Sequence, residues 1–430
     1  MRIALVYSLQ DEAGVNIQDH IRALLPAMPR DDVEWGLQGV EGRLIDQDNL
    51  NLPADLIIFL SRHRSEKPAP VLTVHVTGNF HEAVFGGRSR SLPAADPGWM
   101  QAVLRNLAAG APAPYRVSYE VTHHGPTELS VPSFFVEIGS TQEEWIDPKA
   151  GAAVAASVLQ ARPQNPVPLI GFGGTHYAAR ETTIALESRG AFGHIAHTRE
   201  IGKLDPVLVR MMHARSRSLA AYVDRKAVSA GEYGILHALL QEIGIPEIGE
   251  SELLALGDLD FPLLLEMKEQ AETLAPGSHV HPHHLAGTGT VVVENFPSDL
   301  LEEATRIGGK EIITFIQSRP CAHITGSDGR LLPIFVTFEE HREALINHLI
   351  TFCVKLISGC ANTAVESDRL IIRRMRFDPR KARDLGIPQE HFGRLAGGQT
   401  IELQGRIISP AMVHTGSVRE IYIPGLARYL

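Results

Sequence analysis

The sequence predicts an α/β fold, a mixed sheet flanked by helices, followed by a small α+β domain. Three observations carry this expectation. Residues 1–290 alternate short apolar runs with longer amphipathic or small-residue stretches, the pattern of buried strands joined by covering helices. Past residue 290 the alternation gives way to one long amphipathic stretch and to short strands punctuated by glycine. The charge changes at the same place: residues 291–430 hold 17 Lys and Arg against 16 Asp and Glu, so the net −10 of the chain lies in the first part. We therefore expect one domain over 1–290 and an extension domain over 291–430.

The strands are expected at Ile3 to Tyr7, Leu56 to Leu60, Val71 to Val76, Phe134 to Ile138 and Val167 to Phe172, apolar segments bounded by Gly, Pro, Asn or Ser. Met100 to Ala108, Pro148 to Ala161 and Val207 to Val223 have the length and residue content of helices. Leu274 to Thr290, with Pro276, Gly277, Pro282, Gly287 and Gly289, reads as an exposed connection. Beyond it come a helix at Phe338 to Ile357, a basic tract at Arg369 to Arg383, and short strands around Gln399 to Ile408 and Val418 to Ile423.

Composition narrows the class. With 44% hydrophobic and 21% charged residues the chain is neither disordered nor fibrous, and its length buries a core without staples. Cys321, Cys353 and Cys360 form neither a disulfide framework nor a metal knuckle, which points to a reducing compartment, the cytoplasm. The first residues enter a strand at once and no apolar run approaches membrane-spanning length, so neither export nor a membrane is expected. An acidic balance excludes a general coat of nucleic acid and leaves room for a focused basic patch.

Histidine is conspicuous, 20 of 430 residues, because it titrates near neutral pH and is the commonest metal ligand. Five motifs put histidines, carboxylates or glycines at the ends of expected strands. They are Ser61 to Ser65 with Arg62 and His63; Thr73 to Asn79 with His75; Glu120 to Pro126 with His123 and His124; Phe134 to Thr141 with Glu137, followed by Trp145; and Gly171 to Tyr177 with Gly173, Gly174 and His176. Gly193 and His194 follow a later turn. Loops at the carboxyl ends of strands converge on one crevice in an α/β sheet, so these residues are expected to meet. His75, His123, His124, His176 and His194 would supply imidazoles, and Glu120 and Glu137 carboxylates, to a zinc site or to acid–base work on a water. Any one of these histidines alone is as well explained by a structural or solvated role; the shared placement argues for a site. In a regular strand His123 and His124 face opposite sides, which leaves one of them structural.

The glycines read either as a tight turn or as a backbone cradle for an oxyanion, and their spacing is neither a dinucleotide fingerprint nor a P-loop. His279, His281, His283 and His284 lie in the Pro/Gly connection and read as a mobile, solvated tract with adventitious metal affinity. Arg373, Arg374 and Arg376 form the densest basic cluster, either a solvated face or a contact for a phosphate backbone.

Taken in order, these motifs resemble the archaeal and plant type of D-aminoacyl-tRNA deacylase. The resemblance rests on Ser8 to Ile17, SRHRS at Ser61 to Ser65, LTVHVTGN at Leu72 to Asn79, EVTHHGP at Glu120 to Pro126, PSFFVEIGST at Pro132 to Thr141 with Trp145, GFGGTHYAAR at Gly171 to Arg180, and GHI at Gly193 to Ile195. It departs at Thr175 and Ala179, where the family pattern has glycine and proline. The resemblance implies hydrolysis of the ester joining a D-amino acid to the terminal ribose of tRNA, a zinc requirement, and a fold similar to peptidyl-tRNA hydrolases and nucleoside phosphorylases. On that reading His75, Glu137 and His176 activate the water, directly or through zinc held by His123, His124 and His194. Backbone N–H groups at Gly173 and Gly174 receive the oxyanion. Arg62, Lys226, Arg373, Arg374 and Arg376 meet tRNA, and the protein acts as a monomer. Two rival readings stand beside it: a tRNA-binding module without chemistry, and a zinc-dependent hydrolase or nucleoside phosphorylase-like enzyme acting on a small molecule.

Overall fold

Strand β1 (Arg2–Ser8) is buried from Ile3 to Ser8, as a parallel strand covered on both faces requires. It pairs in parallel with β2 (Glu34–Val40) and with β3 (Leu56–Arg64). Together with β4 (Val71–His75), β5 (Arg116–Tyr119) and β6 (Ser133–Ser140) they form a six-stranded sheet of order β2-β1-β3-β6-β4-β5. Because β4 runs antiparallel to β6 and parallel to β5, the sheet is mixed, as expected. A second, parallel sheet sets β7 (Val167–Phe172) between β8 (Gly190–Ala196) and β9 (Ala220–Val223). The structure is a computed structural model and describes residues 1–65 and 67–430.

Helices α1 (Glu12–Leu24), α2 (Pro97–Gly110), α3 (Gln142–Trp145), α4 (Pro148–Gln160) and α5 (Ala179–Glu187) cover these strands. Aspartates start three of them. The Asp11 carboxylate accepts from the N–H groups of Ala13 and Gly14, Asp96 from Trp99 and Asp147 from Lys149, each satisfying donors that a helix leaves open at its first turn. Proline follows the cap in α2 and α4, where its missing N–H costs nothing. Helix α2 packs against β4 and β5 of one sheet and against β7 and β8 of the other. Its buried Gln101 places Nε2 3.0, 3.1 and 2.8 Å from the carbonyl oxygens of Ala185, Ser188 and Gly190, fastening the turn between α5 and β8.

The expected helix over Val207 to Val223 is two elements. A helix spans Pro206–Ser216 and stops where Arg217 adopts a left-handed φ of 47°, after which Ala220–Val223 is the buried strand β9.

The chain divides into two compact units, Met1–Gly257 and Asp258–Leu430. The composition break at residue 290 falls inside the second unit, because His279–His283 is a strand paired antiparallel with Cys321–Thr325. The His tract is therefore a built sheet edge and not a mobile connection. The His281 ring stacks on His323 at 4.6 Å, and His283 Nε2 lies 2.9 Å from His323 Nδ1. This second unit is α+β. It holds a four-stranded and a three-stranded antiparallel sheet and helices Ser298–Gln317 and Glu339–Ser358, around a core that includes Leu300, Ile316, Phe335, Leu349, Leu370 and Ile421. Among the described residues no helix is long and apolar enough to cross a membrane.

Replacing Gln101 by Leu keeps the volume and removes three hydrogen bonds, leaving the Ala185 and Ser188 carbonyls to Arg105 and the Gly190 carbonyl without this donor. Gln101→Leu is expected to lower the unfolding free energy by about 2–3 kcal/mol, measured by chemical denaturation; a change within 0.5 kcal/mol, as at an ordinary surface position, would show that the amide is not the fastening.

Candidate active site

Side chains alternate along a strand, so the odd-numbered residues of β3, β4 and β6 share one sheet face. The register sets Ser61 and Thr73 opposite Glu137, His63 opposite Gly139 and His75 opposite Phe135. Glu137, on the strand between the other two, thus sits between two imidazoles. Its Oε2 is 3.4 Å from His63 Nδ1 and 3.8 Å from His75 Nε2.

The segment after β5 brings a second carboxylate over the same face. Glu120 lies 3.0 Å from His63 Nδ1, 3.4 Å from His123 Nε2 and 3.2 Å from His176 Nε2. Backbone bonds hold it there: Glu120 bridges Tyr177, the Val121 N–H donates to the His176 carbonyl at 3.0 Å, and the Thr122 N–H donates to Ile195 at 2.9 Å. The chain beyond β5 and the glycine loop beyond β7 are thereby tied together above the sheet. The His123 ring lies 4.4 Å from His75, 4.4 Å from His124 and 4.9 Å from His176. Tyr177 Oη is 3.1 Å from His63 Nε2.

This geometry revises several expectations. The residues meet on a sheet face rather than at a row of carboxyl ends, because β4 runs opposite to β6. The segment carrying His123 and His124 is not a strand: His124 has a left-handed φ of 48°, and both rings contact His75, at 4.4 and 4.9 Å. His194 lies apart from the other imidazoles with both ring nitrogens engaged, Nδ1 at 3.1 Å from Thr122 Oγ1 and Nε2 at 2.9 Å from the Pro93 carbonyl. Burial holds it neutral, down to about 4. It braces the loop and has no lone pair left for a metal. The Gly173 N–H is likewise committed, to the Ala196 carbonyl at 2.9 Å; among the described residues none accepts from the Gly174 N–H.

Lys226 is exposed on a turn after β9, where its N–H donates to Asp224 at 3.0 Å, and that turn borders the place where a Cβ on Gly173 would fall. Arg62 points to the other side of β3 from His63 and lays its guanidinium over Trp145, 5.2 Å from the ring centre. In the second unit Arg374 is ion-paired with the buried Glu303 and so is not open to a phosphate, whereas Arg373 and Arg376, also on the strand Arg369–Phe377, are exposed. His63 and Tyr177, which the first and fifth motifs contain but to which the sequence assigns no role, join the site; the signal for His63 is its two-residue spacing from Ser61, which puts it on the Glu137 face.

Protonation follows from these contacts. Burial disfavours charge on His63, but hydrogen bonds and fields from Glu120 and Glu137 outweigh it and raise the imidazole to about 11. His75 is raised for the same reasons. Glu137, despite its burial, is held down to about 2 by His63 and His75, and Glu120 is held well below the ordinary carboxylate range by His176 and His63. Burial and the fields of His124 and His75 keep His123 neutral, and burial with the His75 field takes His124 down to about 4. In His75, His123 and His124 the Nδ1 atoms face carbonyl oxygens at 3.2, 2.7 and 2.6 Å. A carbonyl only accepts, so Nδ1 carries the proton and Nε2 offers the lone pair in the neutral ring. The contacts of Glu120 to His63, His123 and His176 at 3.0–3.4 Å and of His75 Nε2 to Glu137 at 3.8 Å are ion pairs without good hydrogen-bond geometry, and the imidazole nitrogens and carboxylate oxygens so gathered are the N and O donors that zinc takes. Three overlapping sets, His75–His123–His124, His63–Glu120–His176 and His75–Glu120–Glu137, bring ligand atoms within 4.8 Å of one another and could hold a metal ion.

Imidazoles and carboxylates converging on one face of an α/β sheet make up an acid–base or metal-assisted site. The family model for D-aminoacyl-tRNA deacylase matches residues 50–248. A protein of Methanoculleus marisnigri named D-aminoacyl-tRNA deacylase is 48% identical over 437 residues, covering 100% of both chains. A protein of the same name from Methanosphaerula palustris is also 48% identical over the full length of both. One from Methanosarcina mazei, 37% identical, covers 59% of this chain with 93% of its own length. A solved structure described as a conserved protein of unknown function aligns with a TM-score of 0.54 at 31% identity, over 59% of this chain and 96% of its own. The chain belongs to the D-aminoacyl-tRNA deacylase family.

One further carboxyl lies beside the glycine loop. Glu181, in the first turn of α5, is fully buried with neither oxygen bonded, and its Oε2 would be 3.7 Å from a Cβ on Gly174. Burial raises it to about 8. Between the ordinary value of 4.5 and about 8 the folded chain keeps a proton that the unfolded chain releases, so stability falls as pH rises through that window. Glu181→Gln cannot ionise. Its melting temperature is expected to gain steadily on the wild type from pH 4.5 to 8 and then run parallel to it; a difference independent of pH would show that Glu181 is ionised in the fold.

Proposed function

We propose that this chain hydrolyses the ester between a D-amino acid and the 3′-terminal ribose of tRNA, releasing free tRNA and D-amino acid and so clearing mischarged tRNA. The observation that carries the reading is the convergence of His63, His75, His123 and His176 with Glu120 and Glu137 on one sheet face, in a chain of this family. An aminoacyl ester is already activated. It needs a positioned water, a base and donors for the developing oxyanion.

His176 is the half-exposed ring, with 39% of its side chain open, and it takes the proton of the attacking water while Glu120 orients it through Nε2. His63, held charged between two carboxylates, fixes Glu120 in place beside His176, and the Gly174 N–H meets the developing oxyanion. Zinc fits the donor set, and His75, His123 and His124 would hold it, where it would supply a Lewis acid that lowers the pKa of a water. Selection of the D-configuration is left to the shape of the pocket. Arg62 and Lys226 meet the phosphates of the acceptor end, and the second unit aids docking through Arg373 and Arg376. The same reading gives a monomer working in the cytoplasm, where charged tRNA is used, and a fold similar to peptidyl-tRNA hydrolases and nucleoside phosphorylases, which the mixed sheet between helices supports.

His176→Ala and Glu120→Gln are each expected to lower kcat on D-aminoacyl-tRNA by about 10²–10⁴-fold, with L-aminoacyl-tRNA remaining a poor substrate. Undiminished D-specific hydrolysis in both variants would overturn the site. Chelation is expected to abolish hydrolysis and added zinc to restore it, followed by release of labelled D-amino acid; full activity in metal-free protein would remove zinc from the reading.

A further inference from the structure

We propose that Val84 and Phe85, at the tip of the loop between Asn79 and Ser91, form the platform on which the 3′-terminal base of tRNA stacks. This deepens the reading of the substrate given above and rests on it.

The loop is a lip of the site. Asn79 and Ser91 pair across its base, with N–H to carbonyl distances of 2.9 and 3.0 Å. The Asn79 amide donates to the carbonyls of Gly86 and Arg88 at 2.9 and 3.2 Å, and the Arg88 N–H donates to Thr127 Oγ1 at 2.7 Å. The Gly125 N–H, one residue beyond His124, donates to the Phe85 carbonyl at 2.9 Å. The Gly78 N–H, three residues beyond His75, donates to the His124 carbonyl at 2.8 Å. The two histidine-bearing segments are thus tied to each other at the base of the loop, and the one carrying His124 also holds its tip. Gly86 is seated so closely that a Cβ would come within 2.1 Å of the Ile45 carbonyl oxygen.

Against this fixed backbone, Val84 and Phe85 stand 72% and 63% exposed. A backbone so constrained presents the two apolar side chains outward in one place instead of letting them fold inward. An exposed aromatic ring gains nothing from water and gains much from a base. Stacking is indifferent to sequence elsewhere in the strand, and a neighbouring cation strengthens the hold on the backbone. Arg88, its side chain 68% exposed and 3.6 Å from Glu128, supplies that cation. The scissile ester hangs on the ribose of the terminal nucleotide. A base held at Phe85, which is bonded to the residue after His124, keeps that ribose within one nucleotide of the imidazoles. A nucleic-acid partner is favoured over a second copy of the chain because the tip is small, is flanked by arginine and adjoins the catalytic face.

The test is a binding cycle that leaves the ester out. Affinity is measured by fluorescence anisotropy for uncharged tRNA and for the same tRNA lacking its 3′-terminal nucleotide, with wild type, Phe85→Ala and Phe85→Trp. Loss of the nucleotide is expected to weaken wild-type binding by about fivefold or more. Phe85→Ala should weaken binding of intact tRNA by a similar factor and then be insensitive to loss of the nucleotide, and Phe85→Trp should behave as wild type. If Phe85→Ala responds to loss of the nucleotide as the wild type does, the platform is wrong. It is equally wrong if Phe85→Ala leaves tRNA binding untouched and instead shifts the sedimentation coefficient, which would make the tip a protein interface. A wild type that passes the cycle without hydrolysing D-aminoacyl-tRNA refutes the reaction and keeps the platform, whereas one that hydrolyses it and fails the cycle refutes the platform alone.

Discussion

Two carboxylates buried on one sheet face repel each other unless a cation stands between them, and His63 supplies that charge. Its Nδ1 is 3.0 Å from Glu120 and 3.4 Å from Glu137. Burial alone would strip its proton; the paired carboxylates hold it. Removing the imidazole leaves two like charges in surroundings that screen them poorly, a situation that costs several kcal/mol when one partner of a buried pair is lost. The same residue also joins the surrounding segments. Its carbonyl accepts from Trp145 Nε1 at 3.0 Å and its Nε2 meets Tyr177 Oη at 3.1 Å, so α3 and the glycine loop after β7 are both referred to one position on β3. Asp11 secures the neighbouring backbone, accepting from the Arg62 N–H at 3.1 Å while it caps α1.

The sequence made the central strands legible for a physical reason. β1, β3, β4, β6 and β7 are buried on both faces, so they read as unbroken apolar runs that no helix of that length would need. The strand β2 escaped because it alternates half-buried and exposed residues around Gly36 and Gly39. β9 was absorbed into the helix before it, since only the Ser216-Arg217-Ser218 stretch separates them and Arg217 alone turns the chain. The edge strand His279–His283 hid behind Pro282 and its polar histidines, which is how edge strands are kept from pairing further.

The candidate site was legible in its members more than in its geometry. His75, His123, His124, His176, Glu120 and Glu137 came from motifs at strand ends, yet the direction of β4, which decides that they meet on a face, is set by pairing with β6 and leaves no trace in either segment. His194 belongs to the same kind of motif, and only the three-dimensional neighbours Thr122 and Pro93 show that its nitrogens are used. The same holds for Arg374. Its partner Glu303 is 71 residues earlier in the chain, and a basic tract gives no sign of which of its members is already neutralised.

The acidity of the chain now has a different meaning for a polyanionic substrate. Glu120 and Glu137 are compensated by His63 and His75, and Glu181 is held protonated by burial to about 8. These carboxylates therefore project little field outward, although each counts in the net charge. The groups that do face solvent near the site include Lys226 and Arg88, and on the other side of β3 the guanidinium groups of Arg62 and Arg64 lie over Trp145 at 5.2 and 5.5 Å. What a phosphate meets is set by the exposed charges close to it, since those beyond about 10 Å are largely screened. A buried, internally neutralised candidate site with exposed cations nearby can belong to a chain of net charge −10 without repelling tRNA.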